Sequence, residues 1–197
     1  RVFAAGPRPR RTLLFMALTA EEKGLQGATF YAANPLVPLA KTAAVLNIEM
    51  LSPDGPTRDI ASWGKGRVSL ENDLKRVAEA HGRTYSPDPN LEAGFFYRAD
   101  HFAFARAGVP AITVGAGLDR IDGGVASGKA LRDAYFARCY HQPCDAWTAS
   151  WDARGQAQDV ALLYALGREI ADSDAWPHWL NGSEFKAVRE RSETERK

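Results

Sequence analysis

Short, unbroken apolar runs alternate with amphipathic stretches along this chain, the pattern of an α/β layered domain. Thr12 to Leu18 and Ala43 to Ile48 are apolar apart from Thr12 and Asn47, which predicts central strands covered on both faces. Lys23 to Ala33 between them reads as a crossover helix, so strand, helix and strand form a first unit with a right-handed connection. Further on, the pattern predicts an edge strand over Arg58 to Trp63, an amphipathic helix over Leu70 to His81 and a short helix over Phe102 to Ala107. Pro110 leads into Ala111-Ile112-Thr113-Val114, another buried strand, ending at Gly115-Ala116-Gly117. Asp152 to Asp172 is the longest helix, with Ala157, Val160, Ala161, Tyr164, Ala165, Leu166 and Ile170 on its apolar face. Residues 1–182 are read as the domain. The tail, Ser183 to Lys197, is almost wholly charged and reads as a mobile helix or a disordered end.

Composition changes this picture little. A chain of 197 residues suits one domain with a core of its own. With 45% hydrophobic and 25% charged residues it is globular, and a net charge of +1 gives no general case for nucleic acid or a membrane surface. No run approaches the roughly 20 apolar residues of a bilayer span. Arg8, Arg10 and Arg11, interleaved with Pro7 and Pro9, read as a solvated turn. Cys139 and Cys144 flank His141. Ordinary thiols, a local disulfide and metal ligation are all open, although no second cysteine pair completes a structural zinc set.

The candidate chemistry lies at the strand ends. Ligands of an open α/β sheet bind beyond the carboxyl ends of its strands, where loops diverge. Glu21-Glu22 follow the first predicted strand and Glu49 closes the second, so these acids should share one rim. Asp100-His101 stand at a helix start, and His141 lies in a loop before the last long helix, from which both could reach that rim. Adjacent carboxylates can divide metal-assisted hydrolysis, one holding the cation and one moving a proton, and a carboxylate-imidazole set suits zinc. Plainer readings exist for each residue. Thr19-Ala20-Glu21-Glu22 is also a capping-box pattern, Glu49 could be a solvated acid, His101 a packing group and His141 an ordinary loop histidine.

Four segments, in this order, resemble the zinc-dependent aminopeptidases related to glutamate carboxypeptidase and glutaminyl cyclase, metallopeptidase family twenty-eight. They are Leu14 to Ala28 around the paired glutamates, Leu46-Asn47-Ile48-Glu49-Met50, Ala99-Asp100-His101-Phe102 with Ala107 to Ala111, and Tyr140-His141-Gln142-Pro143-Cys144-Asp145. The resemblance extends to about Trp179. It implies a three-layer domain with a mostly parallel central sheet covered by helices on both faces. It also implies that this chain is the C-terminal part of that domain, because one histidine ligand and the aspartate that bridges the two metals precede the first strand in the family.

By the same resemblance Glu21 is the general base, Glu22 and His141 ligate one zinc, and Glu49 stands where the family has an aspartate ligating the other. Asp100 and His101 lie near the centre in a supporting or substrate-pocket role, and Tyr97 is the candidate for the phenol that polarises the scissile carbonyl. The implied activity is zinc-dependent exopeptidase hydrolysis, of aminopeptidase type, by a metal-bound hydroxide with a glutamate base. Two zinc ions and a peptide substrate with a free N-terminus are expected. The chain alone is expected to be inactive for want of ligands. Departures from the family are Glu49, one methylene longer than aspartate, and Ala99, where relatives often carry serine. A glutaminyl-cyclase-like acyltransferase or a non-catalytic peptidase-like binding domain are the alternatives. The resemblance alone suggests a secreted or periplasmic location.

Overall fold

The computed structural model describes residues 2–88 and 90–196; Arg1, Pro89 and Lys197 lie outside the described residues. Four strands, β1 (Val45–Ile48), β2 (Asp59–Ser62), β3 (Thr84–Ser86) and β4 (Ala111–Ala116), form one sheet in the order β1-β4-β2-β3. β1 runs parallel to β4, and β2 parallel to β3. The seam between β4 and β2 is antiparallel. The helices are α1 (Val2–Ala5), α2 (Gln26–Ala33), α3 (Leu70–Ala80), α4 (His101–Arg106), α5 (Gly124–Arg138), α6 (Arg154–Asp172) and α7 (Lys186–Arg191).

Alternation along β4 divides the layers. Ile112 and Val114 are fully buried in the main core with Ile60 of β2, Leu70, Leu74 and Val77 of α3, and Leu162 and Leu166 of α6. Thr113, between them, points the other way, and its hydroxyl meets Nδ1 of His101 on α4 at 2.6 Å. There α2 and α4 close a second cluster around Ala28, Phe104 and Val109. Trp179 is also buried, its indole N–H donating to the carbonyl of Gly108 at 2.9 Å.

Three expectations change. Thr12 to Leu18 forms no strand: Leu14 and Phe15 are exposed, and β1 pairs only with β4 among the described residues. An apolar run signals a preference for burial but cannot supply a ladder partner. Here the arginines just before it tie the chain to the end of α6 instead. Arg10 pairs with Asp174, and Arg11 donates from its backbone to Ala171 and from its guanidinium to Ile170 and Ala175. These cations meet the carbonyl end of a helix, where positive charge is favoured, so they are not a free turn. Second, interior and edge are exchanged: β2 is interior, because the short β3 covers its far side, whereas β1, expected to be a covered central strand, lies at the edge of the sheet with Ile48 exposed. Third, the tail is anchored. Phe185 enters the main core, and the buried guanidinium of Arg189 donates to the carbonyls of Leu39, Ala40 and Thr42.

Candidate active site

The segment carrying Glu21 and Glu22 is a single tight turn, Glu21–Lys23, between left-handed residues at Ala20 (φ 56°), Gly24 (φ 95°) and Leu25 (φ 56°). No side chain caps either this turn or α2, so the capping-box reading of Thr19 and Glu22 is not what forms. Instead the carbonyl of Thr19 accepts from the N–H of Gly27 at 2.9 Å. A Cβ on Gly27 would stand 2.6 Å from the Thr19 backbone, so only glycine allows this approach. Both glutamate side chains are thereby left free of the backbone. Glu22 uses its freedom: its Oε2 lies 2.9 Å from Nε2 of His141.

His141 is held from three sides. It follows α5 in a loop closed by a disulfide between Cys139 and Cys144, whose Cα atoms are 5.2 Å apart; of the three readings left open for these cysteines, the disulfide is the one that forms. Its ring stacks on Tyr140 with centroids 3.8 Å apart, and its own φ is 59°. Ala20, Leu25, Met50 and His141 are the non-glycine residues with left-handed backbone among the described residues, and each is next to or part of the candidate site. Such conformations are costly for residues with a Cβ and persist where surrounding structure enforces them.

Glu49 sits just past the carboxyl end of β1. Its Oε2 accepts from Nδ2 of Asn47 at 2.8 Å, the same amide donates to Oγ1 of Thr113 at 3.1 Å, and Thr113 reaches His101. Because Thr113 accepts from Asn47, its own proton is directed to Nδ1 of His101, leaving the second proton position of that ring at Nε2. Burial drives the His101 pKa down to about 3, so the ring is neutral and fits this acceptor role. Burial also pushes Glu49 up to about 7, against the Asn47 hydrogen bond, and the charges of Glu21, Asp100 and Glu22 push the same way. Glu21 is raised by burial and then by Glu22 and Asp100, with His141 and Arg98 opposing. Asp100 is raised by burial alone.

Glu21, Glu22, Glu49, Asp100, His141 and Tyr97 all line one pocket of about 760 Å³. His101 does not: it is fully buried behind the pocket, edge-on to Phe96 at 4.6 Å, and its link to Glu49 runs through Thr113 and Asn47. Tyr97 borders the pocket, with its hydroxyl donated to Glu184 at 2.9 Å. Tyr140, Asp145 and Arg98 also line it, though sequence reasoning gave them no role. Tyr140 and Asp145 stood inside the histidine segment already singled out, whereas nothing in the chain around Arg98 marks it.

The residues present fit one side of a cation site. A carboxylate oxygen and an imidazole nitrogen face each other, neighbouring acids resist ionising together, and Oδ1 of Asp100 is a buried acceptor with no partner among the described residues. No group of three His, Cys, Asp or Glu side chains converges tightly enough to hold an ion among the described residues. Glu49 thus shares the pocket without joining the Glu22-His141 pair.

Comparison with known proteins shows the family. Aminopeptidase Y of Saccharomyces cerevisiae (strain ATCC 204508 / S288c) is 31% identical over 141 residues, covering 68% of this chain and 24% of its own length. The chain therefore spans about a quarter of that relative. The model of peptidase family M28 matches residues 1–165, a stretch that contains every acid and the histidine of the pocket. This chain belongs to peptidase family M28.

Proposed function

We propose that this chain carries catalytic residues of a zinc-dependent exopeptidase of aminopeptidase type. The observation that carries the reading is the meeting of Glu22 with His141 across 2.9 Å, in a pocket that also holds Glu21 and Glu49. Glu22 and His141 would hold one zinc ion, and Glu49 would belong to a second. When bound, zinc acidifies water and acts as a Lewis acid toward a carbonyl. Two protein donors on one side and one on the other fall short of the three that hold a catalytic zinc, so further donors are needed for activity.

The chain's own residues then divide the work. Glu21, whose pKa is raised by burial and by the neighbouring acids and whose side chain has no backbone partner, takes a proton from the attacking water on a carboxylate oxygen and returns it to the leaving amine. Asn47, itself braced by Thr113 and His101, orients the carboxylate of Glu49. The surplus of acids, Glu21, Glu49, Asp100 and Asp145, attracts the protonated amino terminus of a peptide. The disulfide beside His141 supports an oxidising location, secreted or periplasmic.

The test is metal analysis of the full-length protein, in which the further donors are to be found, together with hydrolysis of aminoacyl anilides, for the native sequence and for Glu21→Gln. Expected are bound zinc in both and a turnover roughly two to four orders of magnitude lower in the variant. Activity within a fewfold of native would remove Glu21 as the base. Cyclisation of N-terminal glutamine in place of anilide hydrolysis would instead favour the acyltransferase alternative.

A further inference from the structure

Asn181-Gly182 is the one asparagine-glycine pair in the chain. It forms an exposed turn between two fixed points, the buried indole of Trp179 and Phe185, which enters the main core. We propose that Asn181 is a site of spontaneous covalent modification, at which the peptide nitrogen of Gly182 closes on the side-chain amide, ammonia is expelled, and the residue becomes aspartate or isoaspartate. This stands independently of the peptidase reading.

The attacking nitrogen is available. The N–H of Gly182 donates to no backbone acceptor among the described residues, whereas the next N–H, that of Ser183, is held by the carbonyl of Leu180 at 3.1 Å. There is also room for a ring. Gly182 has φ 87°, a conformation glycine adopts freely, and a Cβ built on it would meet nothing within 4 Å. The amide under attack is polarised: Nζ of Lys186, on α7, donates to Oδ1 of Asn181 at 2.9 Å. That oxygen takes the negative charge when the nitrogen adds, and an ammonium aimed at it stabilises the charge as it develops. Lys186 also lies 3.4 Å from Glu190, but an ammonium has three N–H donors and serves both.

The step needs only hydroxide and water. Hydroxide takes the proton of the Gly182 N–H, the nitrogen bonds to Cγ of Asn181, and the tetrahedral intermediate collapses with cleavage of the Cγ–Nδ2 bond. Nδ2 takes a proton from water and leaves as ammonia, and the product is a five-membered imide. Water then adds to one of its two carbonyls. Opening at Cγ gives aspartate; opening at the main-chain carbonyl gives isoaspartate, whose backbone runs through the side chain. The other asparagines lack this combination. Asn34 precedes Pro35, which has no N–H, and Asn72 precedes Asp73, whose N–H is committed to the carbonyl of Ser69. Asn47 precedes the β-branched Ile48 within β1, and Asn90 precedes Leu91.

What the turn holds gives the change a consequence. Isoaspartate lengthens the main chain by one methylene between Trp179 and Phe185, close before Glu184. Glu184 accepts from the hydroxyl of Tyr97, at the border of the acidic pocket, at 2.9 Å, and from Arg67 at 2.8 and 2.7 Å. The altered turn no longer matches the span between its anchors, so the tail is loosened.

The test ages the natively purified full-length protein at constant temperature and several pH values. Mass spectrometry follows the tryptic peptide 169–186, in which Asn181 is the only asparagine, and isoaspartyl methyltransferase labelling measures the isoaspartate. Expected is a gain of one mass unit, at a rate that rises with hydroxide and exceeds that of every other asparagine by roughly an order of magnitude, the advantage of a following residue without a Cβ. Lys186→Met should slow it roughly 1.5- to fivefold, the effect of one exposed charge, and Lys186→Arg should restore most of the rate. Aged native protein should unfold at a lower temperature than fresh protein, whereas Asn181→Gln, aged equally, should keep the fresh value. A rate no greater than that of Asn72 or Asn90, or one independent of pH, would overturn the site. So would sugar found on Asn181, because Asn181-Gly182-Ser183 also fits the acceptor pattern for N-linked glycans. An unaltered rate in Lys186→Met would overturn the role of the lysine, and equal unfolding temperatures the loosening of the tail.

Discussion

Replacing Asn47 by leucine would remove one amide donor and leave a side chain of similar volume. In the native protein that amide gives one hydrogen to Glu49 at 2.8 Å and the other to Thr113 at 3.1 Å. The bond to Asn47 holds this carboxylate down, against burial and the three neighbouring acids. A hydrogen bond to a charged group contributes about 1.5–3 kcal/mol, and one pKa unit corresponds to about 1.4 kcal/mol. Glu49 is only partly buried, and water that reaches it would replace part of the loss, so the low end applies. Its pKa should therefore rise from about 7 by roughly one unit. A cation takes the deprotonated form, so the pH at which the second zinc is half bound should rise equally. At pH 7 its affinity should fall by roughly tenfold. Competition with a fluorescent chelator from pH 6 to 9 measures this, and carboxyl carbon NMR of the metal-free protein measures Glu49 directly. An unchanged NMR titration would refute the proposed role of Asn47. A shifted titration with unchanged zinc binding would refute the assignment of Glu49 to the metal.

The same carboxylate gives the metal-free protein a characteristic pH dependence. The folded pKa of Glu49 is raised from its ordinary 4.5 to about 7, so its contribution to stability is fully present below the lower value and lost as pH rises through the upper one. Thermal unfolding should show this decline without zinc and a smaller one with it, and a flat metal-free profile would contradict the burial of Glu49. Reducing Cys139–Cys144 should leave the core intact yet lower zinc affinity by roughly ten- to thirtyfold, since closing so short a loop is worth about 2 kcal/mol. Zinc titration with and without reductant checks it; equal affinities would show that His141 is held by Tyr140 and its backbone alone. Gly27→Ala should cost about 1–3 kcal/mol in urea unfolding and lower zinc content too, because the new methyl meets the Thr19 backbone behind the Glu21-Glu22 turn. Native stability and zinc content in that variant would mean the two segments can separate freely.

Much of the layered fold could be read from periodicity, because α3, α6 and β4 carry the expected apolar spacing and form within a few residues of the predicted bounds. α5 escaped notice since Ala126, Gly128, Ala130 and Ala134 make no recognisable stripe, and Val125 and Leu131 face outward. β3 is three residues long, too short for alternation to register, and its absence from the reading is why β2 was assigned to an edge. The anchored tail was hidden because a buried arginine satisfied by three backbone carbonyls looks, in composition, like a solvated one. At the site, the gathering of the residues was legible and their orientation was not. The motifs single out Glu21, Glu22, Glu49 and His141, which share one pocket, but nothing in the spacing of Tyr97 and Glu184 says that the phenol is turned toward that acid. The row of rings from Trp63 through Phe95, Phe136 and Tyr140 to His141 is assembled from separate segments, and no local pattern announces it.

The left-handed residues at Ala20, Leu25, Met50 and His141 divide the cleft into parts with different freedom to vary. Loops held in rare dihedrals have few neighbouring conformations to drift into, and most exchanges there would misplace an acid or the imidazole. Leu118, Leu131, Ala134 and their neighbours lie on ordinary backbone, where a change of bulk does not strain the main chain. Substitution is therefore least free at the turns that carry the acids and the imidazole.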